Sequence, residues 1–207
     1  MALYKRKLLF VHINKSCGGI IMHNLRRNSN EVLLTGFHRT LLDMIKASEQ
    51  IGINTQNITK FTIVRNPFDR MLSMFLYYGQ NRQKDKEFFS GNPSIDTDFN
   101  NWIEFIYSKD FDRRRMHSKI NVFEHCFSNQ LNWLTINDSI PQELKIYKIE
   151  DVCLKTVLEN LGLERVDVET RIHPTNHRHY SEYYTEKSKK LVAEHYSKDI
   201  QYFKYAF

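Results

Sequence analysis

The stretch "FVHINKSCGGII", residues 10–21, begins as a buried strand, breaks into Lys15, Ser16, Cys17, Gly18 and Gly19, and resumes an apolar run at Ile20. A strand that ends in a glycine-containing loop and reopens as a helix turns backbone N–H groups and the positive helix end toward a phosphate. The nucleoside-triphosphate loop G-x-x-x-x-G-K-[ST] is the obvious comparison, and residue order excludes it. Its lysine follows the glycines, whereas Lys15 precedes Gly18 and Gly19. A nucleotide kinase is disfavoured on the same ground.

Working outward, the opening "MALYKRKLLFVHI" reads as the first strand. Its basic start resembles a signal peptide, but His12 and Asn14 interrupt the apolar run and no small-residue cleavage site follows, so a strand is the expectation. Gly18 to Arg27 starts a helix, "EVLLT" at 31–35 is a second strand, and "RTLLDMIKASEQIG" at 39–52 is helical. "KFTIV" at 60–64 is a third strand, and Pro67 stands in the first turn of a helix running to about Tyr78. This alternation predicts an α/β fold: a central parallel sheet flanked by helices, with a P-loop-like strand-loop-helix phosphate site. The polar segment 79–97 reads as a surface loop bordering a substrate cleft, and "DFNNWIEFIYS" at 98–108 as a helix capped by Asp98. "ELKIYKIEDV" at 143–152 is a strand turning into a helix that ends near Gly162. From Lys187 onward, Val192, Tyr196, Ile200, Phe203 and Phe207 fall at helical spacing and predict one amphipathic helix.

The totals bound these readings. A chain of 207 residues, 41% hydrophobic and 13% aromatic with 4 prolines and 7 glycines, is long enough for one full core and excludes a disordered or fibrous class. One domain, residues 1–207, is the expectation. No run approaches the roughly 18 apolar residues of a membrane span, so the protein is expected to be soluble, and cytoplasmic unless trimmed from a luminal chain. The net charge of +6 suits an anionic ligand, nucleic acid or an acidic surface, or serves solubility alone. Three widely spaced cysteines, Cys17, Cys126 and Cys153, exclude a disulfide framework and a CxxC metal site, and are expected as mostly buried free thiols.

The run His12, Ile13, Asn14, Lys15, Ser16, Cys17, Gly18, Gly19, Ile20 resembles the 5'-phosphosulfate loop of the sulfotransferases, commonly H-I-P-K-T-G-G-T-S. A second stretch, "IVRNPFDRMLSMF" at 63–75, resembles the same family's 3'-phosphate motif, commonly V-R-N-P-Y-D-R-L-V-S. Asn66, Pro67 and Asp69 alone make an ordinary helix start. That start explains neither Arg65, whose planar fork suits phosphate oxygens, nor Ser73, a hydroxyl about two helical turns on. The resemblance implies 3'-phosphoadenosine 5'-phosphosulfate as cofactor, with adenosine 3',5'-bisphosphate as product. It implies that Lys15, Ser16, Cys17, Gly18, Gly19 and Ile20 form the 5' loop and that Arg65 and Ser73 hold the 3'-phosphate. Asn176 and Arg178 fit the place where the family closes over the 3' side. The chain departs from the pattern where the family's hydroxyl pair falls on Gly19 and Ile20, which shifts the work to backbone amides and Ser16. Weaker likenesses touch "EHCFSNQLNWL" at 124–134, similar to H-x-x-P-Q with Ser128 in place of proline, "YKIEDV" at 147–152, and the C-terminal helix.

Sulfuryl transfer is an in-line displacement, so the enzyme aligns donor and acceptor and offsets charge on the leaving oxygen. The resemblance places Lys15 for that, with no metal required. A base takes the acceptor proton; His38 in "TGFHRT" is the first choice and His125 the second. His12 is read as a core histidine inside its strand. "HPTNHRHY" at 173–180 is read as a basic loop over the cofactor rather than a metal site, and Arg113 to Arg115 as a solvated face or a lure for an anionic acceptor. The expected acceptor is a small molecule or saccharide, with a carbohydrate hydroxyl as the expected acceptor group, and no nucleic-acid partner is expected. Two competing readings stand: a basic nucleic-acid-binding module, and a nucleotide-binding relative without turnover.

Overall fold

The computed structural model describes residues 2–33, 39–80, 98–108, 127–170 and 177–207. The chain falls into two compact units, Met1–Arg65 with Gln130–Ile172, and Asn66–Asn129 with His173–Phe207.

The first unit holds the sheet. Its opening is a hairpin, not the single strand expected from the sequence: β1 (Ala2–Tyr4) and β2 (Leu8–Val11) pair antiparallel, with Tyr4 opposite Leu8 and Ala2 opposite Phe10. Lys5 (φ 46) and Arg6 (φ 53) turn the chain through the left-handed region, and the Lys7 N–H donates to the Tyr4 carbonyl at 2.9 Å. Two left-handed residues match the right-handed twist of a hairpin. β3 (Val32–Leu33) pairs antiparallel with β1, while β4 (Thr59–Val64) and β5 (Leu144–Lys148) extend the sheet parallel to β2. The strand order β3-β1-β2-β4-β5 makes the sheet mixed rather than parallel, because β1 is inserted between β2 and β3.

The helices, in chain order, are α1 (Gly18–Asn28), α2 (Leu41–Gln50), α3 (Pro67–Gln80), α4 (Phe99–Ile106), α5 (Leu154–Asn160), α6 (Glu186–His195) and α7 (Ser197–Phe203). In the first unit, Ala2, Tyr4, Leu8, Phe10, Phe61 and Ile63 present one sheet face to Ile21, Met22 and Leu25 of α1 and Leu158 of α5. Burying each large side chain there contributes about 1.5–3 kcal/mol. α2 begins at a reciprocal cap between Thr40 and Asp43 and packs against β2.

Two asparagines one turn apart fix α1 laterally. Asn24 is fully buried; its amide donates to the Asp167 carbonyl at 2.8 Å and accepts from the Asp167 N–H at 2.7 Å. Asn28 accepts from the N–H groups of Glu164 and Arg165 and donates to the Arg165 carbonyl. The chain beyond α5 is thus tied to α1 as a strand would be to its neighbour. Asp167 itself is bonded by the Thr170 hydroxyl and N–H and by His23, which holds its carboxyl well below the usual carboxylate range.

The second unit is helical around an aromatic core that includes Phe68, Met71, Phe75, Phe99, Trp102, Phe127 and Tyr196. α4 is capped as expected, the Asp98 carboxylate accepting from the Asn101 N–H at 2.8 Å. The single C-terminal helix is not observed. Tyr196 (φ −100, ψ 23) separates α6 from α7, and Phe207 lies past α7 against Phe68, Tyr180 and Tyr184. Tyr196 is fully buried and its hydroxyl donates to the Phe127 carbonyl at 3.1 Å. Burial raises the Tyr107 and Tyr184 hydroxyls well above the ordinary tyrosine value. Among the described residues no helix is long and apolar enough to cross a membrane.

Candidate active site

The strands β2, β4 and β5 run parallel, and ligands of open α/β sheets bind beyond such carboxyl ends. β2 stops at Val11, so His12 stands outside the strand, half-buried, its ring stacked on Phe10 with centroids 5.6 Å apart. That corrects its reading as a core histidine within the strand. The loop then enters the left-handed region twice, at Lys15 (φ 61) and at Cys17 (φ 58), with Ser16 between them buried to 1%. α1 opens at Gly18, and no acidic residue stands in its first turn. Gly18 is glycine for a local reason: a Cβ there would collide with the His12 imidazole. Gly19 is half-buried, and Ile20 packs against the sheet-face core, so the residue standing in place of a family hydroxyl works in packing.

Arg65 leaves the end of β4. Its guanidinium Nη1 donates to the Lys15 carbonyl at 3.1 Å, joining two stretches separated by 50 residues. A third segment completes the arrangement. The Gln130 side chain, fully buried, accepts from the Arg65 N–H at 2.9 Å and donates to the Arg65 carbonyl at 2.8 Å, like a one-residue strand partner. The same Oε1 accepts from the Ser16 hydroxyl at 3.4 Å. Lys15, Ser16 and Arg65, selected from sequence, therefore come together in one unit, and Gln130 binds two of them. Sequence reasoning did not select Gln130. Its signal was the H-x-x-P-Q likeness, whose register from His125 assigns the glutamine position to Asn129, one residue short.

In the second unit Ser73 sits in α3 at 2% exposure. Arg178 is exposed and pairs with Glu182 at 2.8 Å. Its neighbour His177 lies 3.6 Å from Asp69 in the first turn of α3. Asn66, next after Arg65, caps α3 by accepting from the Phe68 N–H at 3.0 Å and donates to the Ala206 carbonyl at 2.8 Å. His38, His125, Asn176, Cys126 and Arg113 to Arg115 lie outside the described residues, as does the polar stretch beyond Gln80. Cys17 is half-buried and Cys153 exposed, so these two are not the buried thiols expected. Among the described residues no three His, Cys, Asp or Glu side chains group as a metal site.

A mixed α/β protein with a lysine loop and an arginine meeting at the carboxyl ends of adjacent parallel strands is the class these observations define. The family model described as "Sulfotransferase family" matches residues 3–206, nearly the whole chain, and the chain belongs to that family. Searches of curated proteins and of solved structures gave no match. Membership makes sulfuryl transfer the general activity of this transferase.

Proposed function

We propose that the chain moves a sulfuryl group from 3'-phosphoadenosine 5'-phosphosulfate to an acceptor hydroxyl, with a carbohydrate as the acceptor class. In this reading both compact units serve one sulfotransferase domain. The observation that carries it is the hydrogen bond from the Arg65 guanidinium to the Lys15 carbonyl: two motifs resembling the two halves of one cofactor site meet at one sheet edge.

The donor set present suits a nucleotide with phosphates at both ends. It comprises two cations, a serine hydroxyl, and the first N–H groups of an 11-residue helix with no acid in its first turn. Left-handed Lys15 and Cys17 on either side of Ser16 give the alternation that turns successive N–H groups into an anion nest. In this reading Lys15 offsets charge on the leaving phosphate oxygen, and the loop amides with Ser16 take the 5'-phosphate. We assign the 3'-phosphate to Arg65 and Ser73, together with Asn176 and Arg178, as the resemblance implies. When bound, the phosphosulfate supplies the sulfuryl group that the acceptor oxygen displaces in line. We assign the base to His38, with His125 as its alternate. In support of His38, it follows β3, which runs in the same direction as β2 because both are antiparallel to β1.

Calorimetric titration with adenosine 3',5'-bisphosphate tests the site on the native protein and on Lys15→Ala and Arg65→Ala. Binding in the micromolar range is expected, weakened about tenfold or more by each substitution, the size of a lost charge-assisted contact. A folded sample that binds nothing at millimolar ligand overturns the reading and brings the nucleic-acid alternative forward. Bisphosphate binding without turnover on any hydroxyl acceptor, with labelled donor, leaves the inactive relative.

A further inference from the structure

We propose that Gln130 is a positioning residue that serves both phosphate-binding halves of the site at once, through Ser16 on one side and Arg65 on the other. The inference rests on the cofactor reading above. Three hydrogen bonds carry it: two between the Gln130 amide and the Arg65 backbone, at 2.9 and 2.8 Å, and one from the Ser16 hydroxyl to the same Oε1, at 3.4 Å. The amide is fully buried, and a buried amide is costly to leave unsatisfied, so its orientation is fixed by these bonds.

Each bond has a consequence for a different half. The pair to Arg65 fixes where the chain leaves β4, and with it the root of the guanidinium that reaches the Lys15 carbonyl. The Ser16 bond fixes the centre of the left-handed loop. Its 3.4 Å length makes it the weakest of the three, and it leaves the Ser16 N–H to face an incoming phosphate while the hydroxyl stays on Oε1. Gln130 thus holds both halves in place before any ligand arrives, and lowers the ordering cost that each phosphate would otherwise meet.

The test is the affinity of adenosine 3',5'-bisphosphate, adenosine 5'-monophosphate and adenosine 3'-monophosphate for the native protein, Gln130→Met and Gln130→Glu. The ratio of bisphosphate to 5'-monophosphate affinity reads the 3'-phosphate contribution, and the ratio to 3'-monophosphate reads the 5' contribution. Gln130→Met keeps the volume and removes the hydrogen bonds; both ratios are expected to fall about fivefold, as for one lost hydrogen bond each. Ser16→Ala should lower the 5' ratio alone, and Arg65→Ala should lower the 3' ratio most, with a smaller fall in the 5' ratio because its bond to the Lys15 carbonyl is lost. Gln130→Glu keeps the acceptor and loses the donor above its pKa. Both of its ratios should recover toward native as pH falls from 8 to 5 and the carboxyl gains a proton, a recovery that Gln130→Met cannot show. A fall in one ratio only, or in neither, with folded variants overturns the proposal while the cofactor reading stands. A native protein that binds none of the three nucleotides overturns that reading first, and this one with it.

Discussion

Two turns in the first seventeen residues hold non-glycine residues in the left-handed region, and they are secured by different means. At the hairpin, exposed Lys5 (φ 46) and Arg6 (φ 53) are held locally, by the Lys7 to Tyr4 hydrogen bond and by the pairing of β1 with β2. At the candidate site, Lys15 (φ 61) and Cys17 (φ 58) are held from afar, by Arg65 across 50 residues and, through Ser16, by Gln130 across 114. Such a residue costs about 1–2 kcal/mol wherever it occurs, so backbone strain does not by itself mark a site. What distinguishes the second turn is that long-range polar contacts among a lysine, a serine and an arginine maintain it.

The largest effect on stability is expected where the site turn meets its helix. Gly18→Ala drives a methyl group into the His12 imidazole and should cost about 1–3 kcal/mol in denaturant unfolding, the usual range for overpacking. Combined with His12→Ala, the same substitution should cost far less. An equal cost in both backgrounds would show that something other than His12 requires glycine there, and the site turn would lose part of its distinction from the hairpin.

Lys15→Gly separates strain from function at one position. Glycine accepts φ 61 freely, so stability should rise by about 0.5–1 kcal/mol, net of glycine's greater unfolded entropy. Affinity for adenosine 3',5'-bisphosphate should drop about tenfold or more, because the cation is gone. Thermal unfolding and calorimetry on one sample read both. A variant that loses stability as well would mean that the lysine side chain holds the loop, and strain would then not be stored there for binding.

The same contrast explains what could be read from the sequence. The helices and the strands β4 and β5 were legible because apolar periodicity and caps such as Asp98 are local signals. Lys15, Ser16 and Arg65 were legible because their motifs stand at strand ends. The hairpin was not, since Lys5-Arg6-Lys7 carries none of the Asn or Gly preference that marks a tight hairpin loop, and a continuous apolar reading absorbed it. Nor was the break at Tyr196, which keeps perfect helical spacing while its hydroxyl is drawn to the Phe127 carbonyl. Gln130 shows the same limit at the site. A buried amide that bridges three distant backbone and side-chain groups has no local pattern, and here its register within the H-x-x-P-Q likeness is displaced by one.

The smallest effect, and the sharpest check on the contrast, comes from the other turn. Lys5→Asn with Arg6→Gly installs the residues that two consecutive left-handed positions prefer, and should raise stability by about 0.5–1 kcal/mol. Bisphosphate affinity should stay within about twofold of native, the scatter expected for an uncoupled surface change. The reasoning is topological. β1 and β2 run antiparallel, so the hairpin turn lies where β2 begins, whereas the site loop lies where β2 ends. Local relief at one end of a rigid, both-side hydrogen-bonded strand has no path to the Lys15 carbonyl or the Gln130 amide. A clear change in affinity would show that β2 transmits strain along its length, and the two turns would then be one device rather than two.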